Sequence, residues 1–326
     1  MRLPALKDPR TWLAAGALLL TLLAIFVPRI MLQREAYDVM FVVDITTSMN
    51  TRDVKLAGEP ASRLDVAKAS IQDTLAQLPC GSKAGLGVFT ERRTFVLYEP
   101  VEVCANFSAL HDSIPHIHWR MGWQGDSFVS KGLFSALSIA HSDKADLIFI
   151  TDGHELPPLP YSGLEPYEGK PGDVGGLVVG IGSHTSSRLL KYDADGREIG
   201  VYSMQDIPQE NRSGPPPPDA ESRPGYHPKW APFGNAIVNN KEHLAIVREE
   251  YLKKLAGVTG LTYAYLGDDR SLANEFIKAA HARSLERSVD VSIIPGSLAL
   301  ALLTLLYGIA AVSAFRAPIR SVHNTT

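Results

Sequence analysis

Cysteine is scarce in this chain: 326 residues carry only Cys80 and Cys104, which excludes a disulfide-dense module. Charge of one sign is also lacking. Thirty-two Lys and Arg stand against 35 Asp and Glu, a formal net charge of −3 with a pI near 6.4. That balance gives no electrostatic reason for a nucleic-acid partner, and no RNA- or DNA-binding motif is present. The signatures of common enzymes are missing as well. There is no phosphate loop, no nucleophile elbow and no H-E-x-x-H. His111, His116 and His118 fit no usual zinc spacing and read as surface or interface residues. His154 and Glu155 are adjacent, but two residues do not make a catalytic pair. The expectation is a protein that is not an enzyme.

Long apolar runs are present, one at each end. Residues 11–27 are uncharged, just long enough to span a bilayer, with Arg2, Lys7 and Arg10 before them. A cleaved signal peptide is the alternative, but no small-x-small cleavage site follows the run. Residues 293–315 are also uncharged, roughly 35 Å as a helix, which spans comfortably. The division expected is a cytoplasmic tail and anchor in 1–35, a soluble domain in 36–287, a transmembrane helix in 292–315 and a cytoplasmic tail in 316–326. Arg2, Lys7, Arg10, Arg316 and Arg320 flank the spans on the terminal side, against Arg29, Arg34, Arg283 and Arg287 on the domain side. The count leans toward cytoplasmic termini.

The most informative stretch is Val42-Val43-Asp44-Ile45-Thr46-Thr47-Ser48. An apolar strand ends in an acid followed by hydroxyls at alternate positions. Asp44, Thr46 and Ser48 would then form a cluster of hard oxygen donors suited to Mg²⁺, with Ca²⁺ or Mn²⁺ as alternatives. The plainer reading is a turn whose side chains bond their own backbone. A second apolar strand, Ile148-Phe149-Ile150-Thr151-Asp152-Gly153, also ends in an acid. In an open parallel α/β sheet, ligands gather at the carboxyl ends of strands near a switch point, so the two aspartates are expected to meet. Gly125-Asp126-Ser127 precedes a helix-period segment of Val129, Leu133, Leu137 and Ala140. Ser127 either caps that helix or offers its hydroxyl to the same metal.

Together these segments resemble the von Willebrand factor A (vWA) family and its metal-ion-dependent adhesion site, over roughly residues 36–285. Carried over position by position, the resemblance implies a metal site of Asp44, Thr46, Ser48, Ser127 and Asp152. It departs from the family at Ser127, where a Thr is usual. The layout of anchor, domain and second span looks like bacterial vWA membrane proteins of the aerotolerance type. The run Arg120-Met121-Gly122-Trp123-Gln124-Gly125-Asp126-Ser127 and region 178–202 look closer to vWA membrane proteins of methanol-oxidation clusters.

The rest of the domain reads as alternating strands and helices. Ser62 and Asp65 have capping-box spacing before an apolar face of Leu64, Ala67, Ile71, Leu75 and Leu78. Two strand-like runs at 84–90 and 94–99 flank Arg92, which is 12 residues from each cysteine. A hairpin turning there brings Cys80 and Cys104 together across its open end, where a disulfide is feasible; two unrelated buried thiols are the alternative. Residues 174–182 and 261–266 are further strands, and 189–192 with 198–202 form a hairpin around Asp193-Ala194-Asp195-Gly196. Leu244, Val247, Tyr251 and Leu255 mark a helix ending at Gly257, and Leu272 and Phe276 start one leading to the second span. The fold class expected is α/β, a doubly wound, mostly parallel, Rossmann-like sheet flanked by two transmembrane helices. Residues 203–240 hold eight prolines and read as an irregular excursion. Residues 153–173 leave from the proposed site carrying Leu159, Tyr161, Leu164 and Tyr167. They read either as a long surface loop or as part of a partner-binding rim, and Trp119 and Trp123 either line the same rim or pack in the core.

The resemblance implies a non-enzymatic, membrane-anchored protein that captures an acidic protein partner through its divalent ion. Other membrane vWA proteins and a periplasmic, quinoprotein methanol dehydrogenase-like complex undergoing assembly or maturation are the partners implied. The expected location is the bacterial inner membrane with the domain in the periplasm, where a Cys80–Cys104 bond would persist. A metal-assisted hydrolase using Asp44 and Asp152, and a purely structural ion, are the rival readings.

Overall fold

The computed structural model describes residues 8–26, 30–122, 125–235, 238, 240–267 and 271–315. The chain divides into two compact units, Glu35–Arg283 on one hand and Met1–Arg34 with Ser284–Thr326 on the other.

The larger unit is built on six strands: β1 (Asp38–Asp44), β2 (Lys83–Thr90), β3 (Arg93–Glu102), β4 (Asp146–Thr151), β5 (Gly176–Gly180) and β6 (Thr262–Tyr265), in the order β6-β5-β4-β1-β2-β3. All neighbours run parallel except the β2–β3 hairpin at one edge. After β1 the chain moves to β2 on one side and later to β4 on the other. The crevice beyond the carboxyl ends of β1 and β4 is therefore the switch point, the place where such sheets collect ligands.

Strand geometry sends alternate side chains to opposite faces, and β1 supplies both. Val39, Phe41 and Val43 join the core beneath α1 (Arg63–Gln77), α2 (Phe107–Ser113) and α5 (Leu272–Ala279). Met40 and Val42 join the one beneath α3 (Val129–Ser142) and α4 (Glu249–Thr259). Both faces of the sheet are covered, so β1 and β4 read as near-continuous apolar runs. Ser62 caps α1 as its spacing predicts, accepting from the Asp65 N–H at 3.1 Å while donating to the Asp65 carboxylate at 2.6 Å.

Local details depart from the sequence expectation. The helix marked from Leu244 begins only at Glu249, because Leu244–Ala245 pairs as a short strand with Ser187–Arg188. It continues past Gly257 to Thr259 and ends on Gly260 at φ 79°, the left-handed cap that glycine adopts without strain. After α5 the strand Arg283–Val289 intervenes before the second apolar helix. A small hairpin, Val54–Leu56 with Glu59–Ala61, was not anticipated.

Cys80 and Cys104 are joined by a disulfide with a Cα–Cα distance of 5.2 Å, across the open end of the β2–β3 hairpin. The proline-rich segment is irregular but tethered to the 153–173 loop. Tyr161 donates to Glu210 at 2.7 Å, Arg223 bonds Glu210 at 2.6 Å, and the Asn211 amide donates to the Pro158 carbonyl at 2.8 Å.

In the smaller unit, helices Pro9–Phe26 and Ile293–Phe315 pack on each other, burying Ala17 and Ala299. A Cβ on Gly16 would lie 3.3 Å from Leu302, so glycine permits the close approach. Both helices are long and apolar enough to cross a membrane. Strands Ile30–Ala36 and Arg283–Val289 pair as a two-stranded sheet.

Candidate functional site

Parallel register assembles the centre of the site. Val43 lies opposite Ile150, so the next residue on each strand, Asp44 and Thr151, are neighbours, and Asp152 follows just beyond the strand end. Both aspartates are fully buried. Asp44 accepts from the Thr151 hydroxyl at 2.6 Å and from the Thr46 N–H at 2.8 Å. Asp152 accepts from the His154 N–H at 2.9 Å. Burial, then the nearby charge of Asp152, pushes the Asp44 carboxyl up to about 7.

The segment after Asp44 turns into a short 3-10 helix, Thr47–Asn50, which folds the two hydroxyls toward each other: Thr46 Oγ1 and Ser48 Oγ are 3.4 Å apart. Ser127 arrives from a third segment. Its N–H and C=O are both bonded to Leu156, at 2.7 and 2.8 Å, which pins its backbone. Its side chain is not a helix cap, since Phe128 occupies that position with no side-chain bond. The Ser127 hydroxyl is buried and, among the described residues, has no hydrogen-bond partner. A cavity of about 210 Å³ brings Thr46, Ser48 and Ser127 to one surface together with His154.

These residues fit a hard divalent cation on the chemistry of the donor set. Hydroxyls and carboxylates are the ligands such ions take, and an orphaned buried hydroxyl is a costly feature that an ion would satisfy. Among the described residues no cluster of three or more His, Cys, Asp or Glu side chains is placed to hold a metal. Any ion here would therefore rest on hydroxyls and the two aspartates. Asp44, Thr46, Ser48, Ser127 and Asp152 would hold it.

One group at the centre was not anticipated. Arg63, at the start of α1, is fully buried and forms ion pairs with both Asp152 and Asp53. Its Nε donates to Asp53 at 2.8 Å, and Asp53 also accepts from the Ser183 N–H at 3.2 Å. A Cβ on Gly182, whose φ is 123°, would lie 2.6 Å from the guanidinium carbon. Only glycine leaves room for it. Two carboxylates, Asp53 and Asp152, thus share one guanidinium. The signal was present in the sequence: an arginine in the first turn of a helix opposes the helix dipole and calls for an acid partner.

His154, which sequence spacing does not mark as a site residue, lines the same cavity as Ser127. It is buried, Nε2 is 4.0 Å from the Glu242 carboxylate, and a backbone hydrogen bond with Glu242 is among the interactions that act on it. Burial pulls its pKa down to about 4. Glu155 accepts from the Ser130 N–H at 3.0 Å and from the Tyr251 hydroxyl, fixing the start of α3 to α4.

The expected rim is only partly assembled. Leu164 and Tyr167 pack instead toward α3, with the Tyr167 and Phe134 rings 5.0 Å apart. Trp119 packs against Tyr192 with the rings tilted and their centroids 4.7 Å apart. Trp123 lies outside the described residues. The cavity wall is made by Leu156, Leu189, Tyr202, Ile207 and Pro208, mostly residues not singled out from sequence.

The family model described as von Willebrand factor type A domain matches residues 39–154. This stretch runs from the start of β1 past Asp152, and the domain has the vWA fold: a mixed, mostly parallel sheet between helices. No curated protein sequence matches the chain. Among solved structures, an aerotolerance-related membrane protein from Bacteroides fragilis aligns at 16% identity over 74% of this chain and 95% of its own, with a TM-score of 0.42. A membrane-spanning protein from Vibrio fischeri aligns at 18% over 74% and 95%, TM-score 0.28. A vWA protein from Catenulispora acidiphila aligns at 11% over 78% and 45%, TM-score 0.36. Likenesses of this size carry no weight on function.

Proposed function

We propose that this protein is a membrane-anchored vWA protein that binds a divalent cation, most readily Mg²⁺, and through it an acidic protein partner. The observation that carries this reading is the buried hydroxyl of Ser127, without a partner among the described residues, lining the same cavity as Thr46 and Ser48. A bound cation would supply an electrophilic centre for an outside carboxylate. The chain's own residues would do the rest. Thr46, Ser48 and Ser127 offer neutral oxygens, and Asp44 and Asp152 supply charge. Arg63 holds Asp152 in place and partly neutralises it, leaving the ion short of negative charge and receptive to a carboxylate from outside.

In this reading the two apolar helices are membrane spans of a bacterial inner membrane, and the domain lies in the periplasm, where the Cys80–Cys104 disulfide would persist. The partner would belong to a complex whose assembly or maturation the protein assists. The sequence resemblance points to aerotolerance-type systems or a quinoprotein methanol dehydrogenase-like complex. No catalytic role is assigned.

The test uses the full chain in detergent. Mg²⁺ should raise the thermal midpoint of the native protein and not that of Asp44→Ala or Asp152→Ala. Equal stabilisation of all three would remove the assignment. Partner capture from periplasmic extract should be released by EDTA. Capture that persists would leave the ion structural at most.

A further inference from the structure

We propose that the cavity between α3 and the 165–174 segment is a binding site for a small organic cation, an ammonium group carried on an apolar body. The site is independent of the metal reading, since the cavity shares no lining residue with the one that holds Thr46, Ser48 and Ser127.

The cavity has a volume of about 650 Å³, inside the range of roughly 300–1,000 Å³ in which small molecules are bound. A single side chain entering from a protein partner would leave most of that space unfilled. A whole molecule is the better occupant.

The wall opposite α3 is anchored. The Gly172 N–H donates to the Thr259 carbonyl at 3.0 Å, and the Gly175 N–H donates to the Asp146 carboxylate at 2.8 Å. These bonds fasten the end of the segment to α4 and to the start of β4. Tyr167 is held between its own loop and α3. A Cβ on Gly169 would lie 2.3 Å from the Tyr167 hydroxyl oxygen, so glycine lets the chain lie close against the phenol. On the α3 side the Phe134 ring centroid is 5.0 Å away.

The lining selects the charge of the ligand. Glu165, Glu168 and Asp173 stand against one lysine, Lys170, and one histidine, His141. Glu165 pairs with Lys131 at 3.1 Å, and Asp173 contacts His141 at 3.1 Å and Lys170 at 3.9 Å. Among the described residues Glu168 has no ion-pair partner. Burial, then the charge of Asp173, raises the Tyr167 phenol above its ordinary pKa, so carboxylate and ring act on one space.

The excess of carboxylates disfavours an anionic ligand. A bare metal ion is also a poor fit, because among the described residues no three His, Cys, Asp or Glu side chains are placed to hold one. A cation with an apolar body meets both demands. Its charge is attracted by aromatic faces as well as by carboxylates, while Leu137, Pro166 and Val174 offer surface to the body.

The experiment uses the full chain in an uncharged maltoside detergent, with choline as the probe and saturation-transfer NMR titration as the readout. The controls are dimethylbutanol, in which carbon replaces the choline nitrogen, and the N-acetyl methylamide of lysine. Choline should bind at least about tenfold more tightly than either control, the scale of a desolvated cation–π contact. Tyr167→Leu should weaken choline about fivefold or more, while Tyr167→Phe, which keeps the ring, should retain it. Glu168→Gln, at an exposed position, should weaken it about threefold, as for a surface charge pair, without moving the thermal midpoint. EDTA should leave choline affinity unchanged.

Absence of saturable choline binding, or dimethylbutanol binding as tightly, would overturn the site. So would Tyr167→Leu and Glu168→Gln both without effect. Tighter binding of the lysine derivative would overturn the small-molecule assignment and make the cavity a dock for a partner's lysine. Choline binding lost in EDTA would overturn the independence of the two cavities.

Discussion

Arg63 and Asp152 form an ion pair closed to solvent, each side chain 0% exposed, and the same guanidinium holds Asp53 on its other edge. Removing the cation strands two buried acids. Arg63→Met should therefore lower the unfolding free energy by about 3–5 kcal/mol, the cost of breaking a buried pair from one side. Arg63→Lys should rescue little, because an ammonium cannot span both acids with a planar fork. Urea unfolding of the full chain in detergent measures this. A loss under about 1 kcal/mol would show that Asp152 finds another partner.

Ser127 separates stability from binding. Because its hydroxyl has no hydrogen-bond partner among the described residues, Ser127→Ala should leave the metal-free protein as stable as before or slightly more so. The same change should weaken Mg²⁺ binding in calorimetry, and Ser127→Thr should preserve it. Equal Mg²⁺ affinity in all three would place the cation elsewhere.

Asp44 sets a pH dependence. Its folded-state pKa, about 7, lies above the ordinary 3.8. Between those values the unfolded chain has lost a proton that the folded chain keeps. Its contribution to stability is thus complete below the ordinary carboxylate range and is lost as pH rises toward 7. In EDTA, Asp44→Asn should stabilise the protein relative to the native chain at pH 8 and change little at pH 4. Protons should also compete with Mg²⁺, so binding at pH 5.5 should be weaker than at pH 8. A pH-independent affinity would contradict this.

Gly132 lies inside α3 directly over Phe89: an added Cβ would sit 2.1 Å from the ring. Gly132→Ala should destabilise by about 1–3 kcal/mol, the usual cost of overpacking, despite alanine's better helix propensity. A gain in stability by thermal unfolding would mean that α3 can slide on β2.

Cys80 and Cys104 are 24 residues apart in sequence. Opening their bond with Cys80→Ser and Cys104→Ser together should cost about 2–4 kcal/mol. In cells, both thiols should resist alkylation until reduced, and an alkaline phosphatase fusion after residue 200 should be active. Freely labelled thiols with an inactive fusion would put the domain in the cytoplasm.

Elements whose signal is local were legible in the sequence. The strand ending at Asp44 and the strand leading into Asp152 each carry an unbroken apolar run; the first ends at Asp44 and the second at Thr151, one residue before Asp152. The helix after Ser62 begins at its cap because the capping spacing and apolar period agree. The helix start near Leu244 differs from the sequence pattern for a physical reason: Leu244, Val247, Tyr251 and Leu255 keep a helical spacing, but Leu244 and Ala245 pair as a strand with Ser187–Arg188. The apolar loop residues Leu164 and Tyr167 were read as a rim although they pack toward α3, because apolar character does not say which surface it will cover.

Residue order alone determined the acids at strand ends, the hydroxyls at alternate positions and the two uncharged runs at the termini. Tertiary structure decided what surrounds them. Parallel register set Asp44 beside Thr151, and α1 carried Arg63 onto Asp152 across 89 residues of chain. The 189–208 segment supplied the wall over Thr46, Ser48 and Ser127. Covalent neighbours and periodicity act within a few residues, whereas charge balance in a buried site depends on groups brought together only when the sheet closes, which is why Arg63 and His154 took their places only in the folded chain.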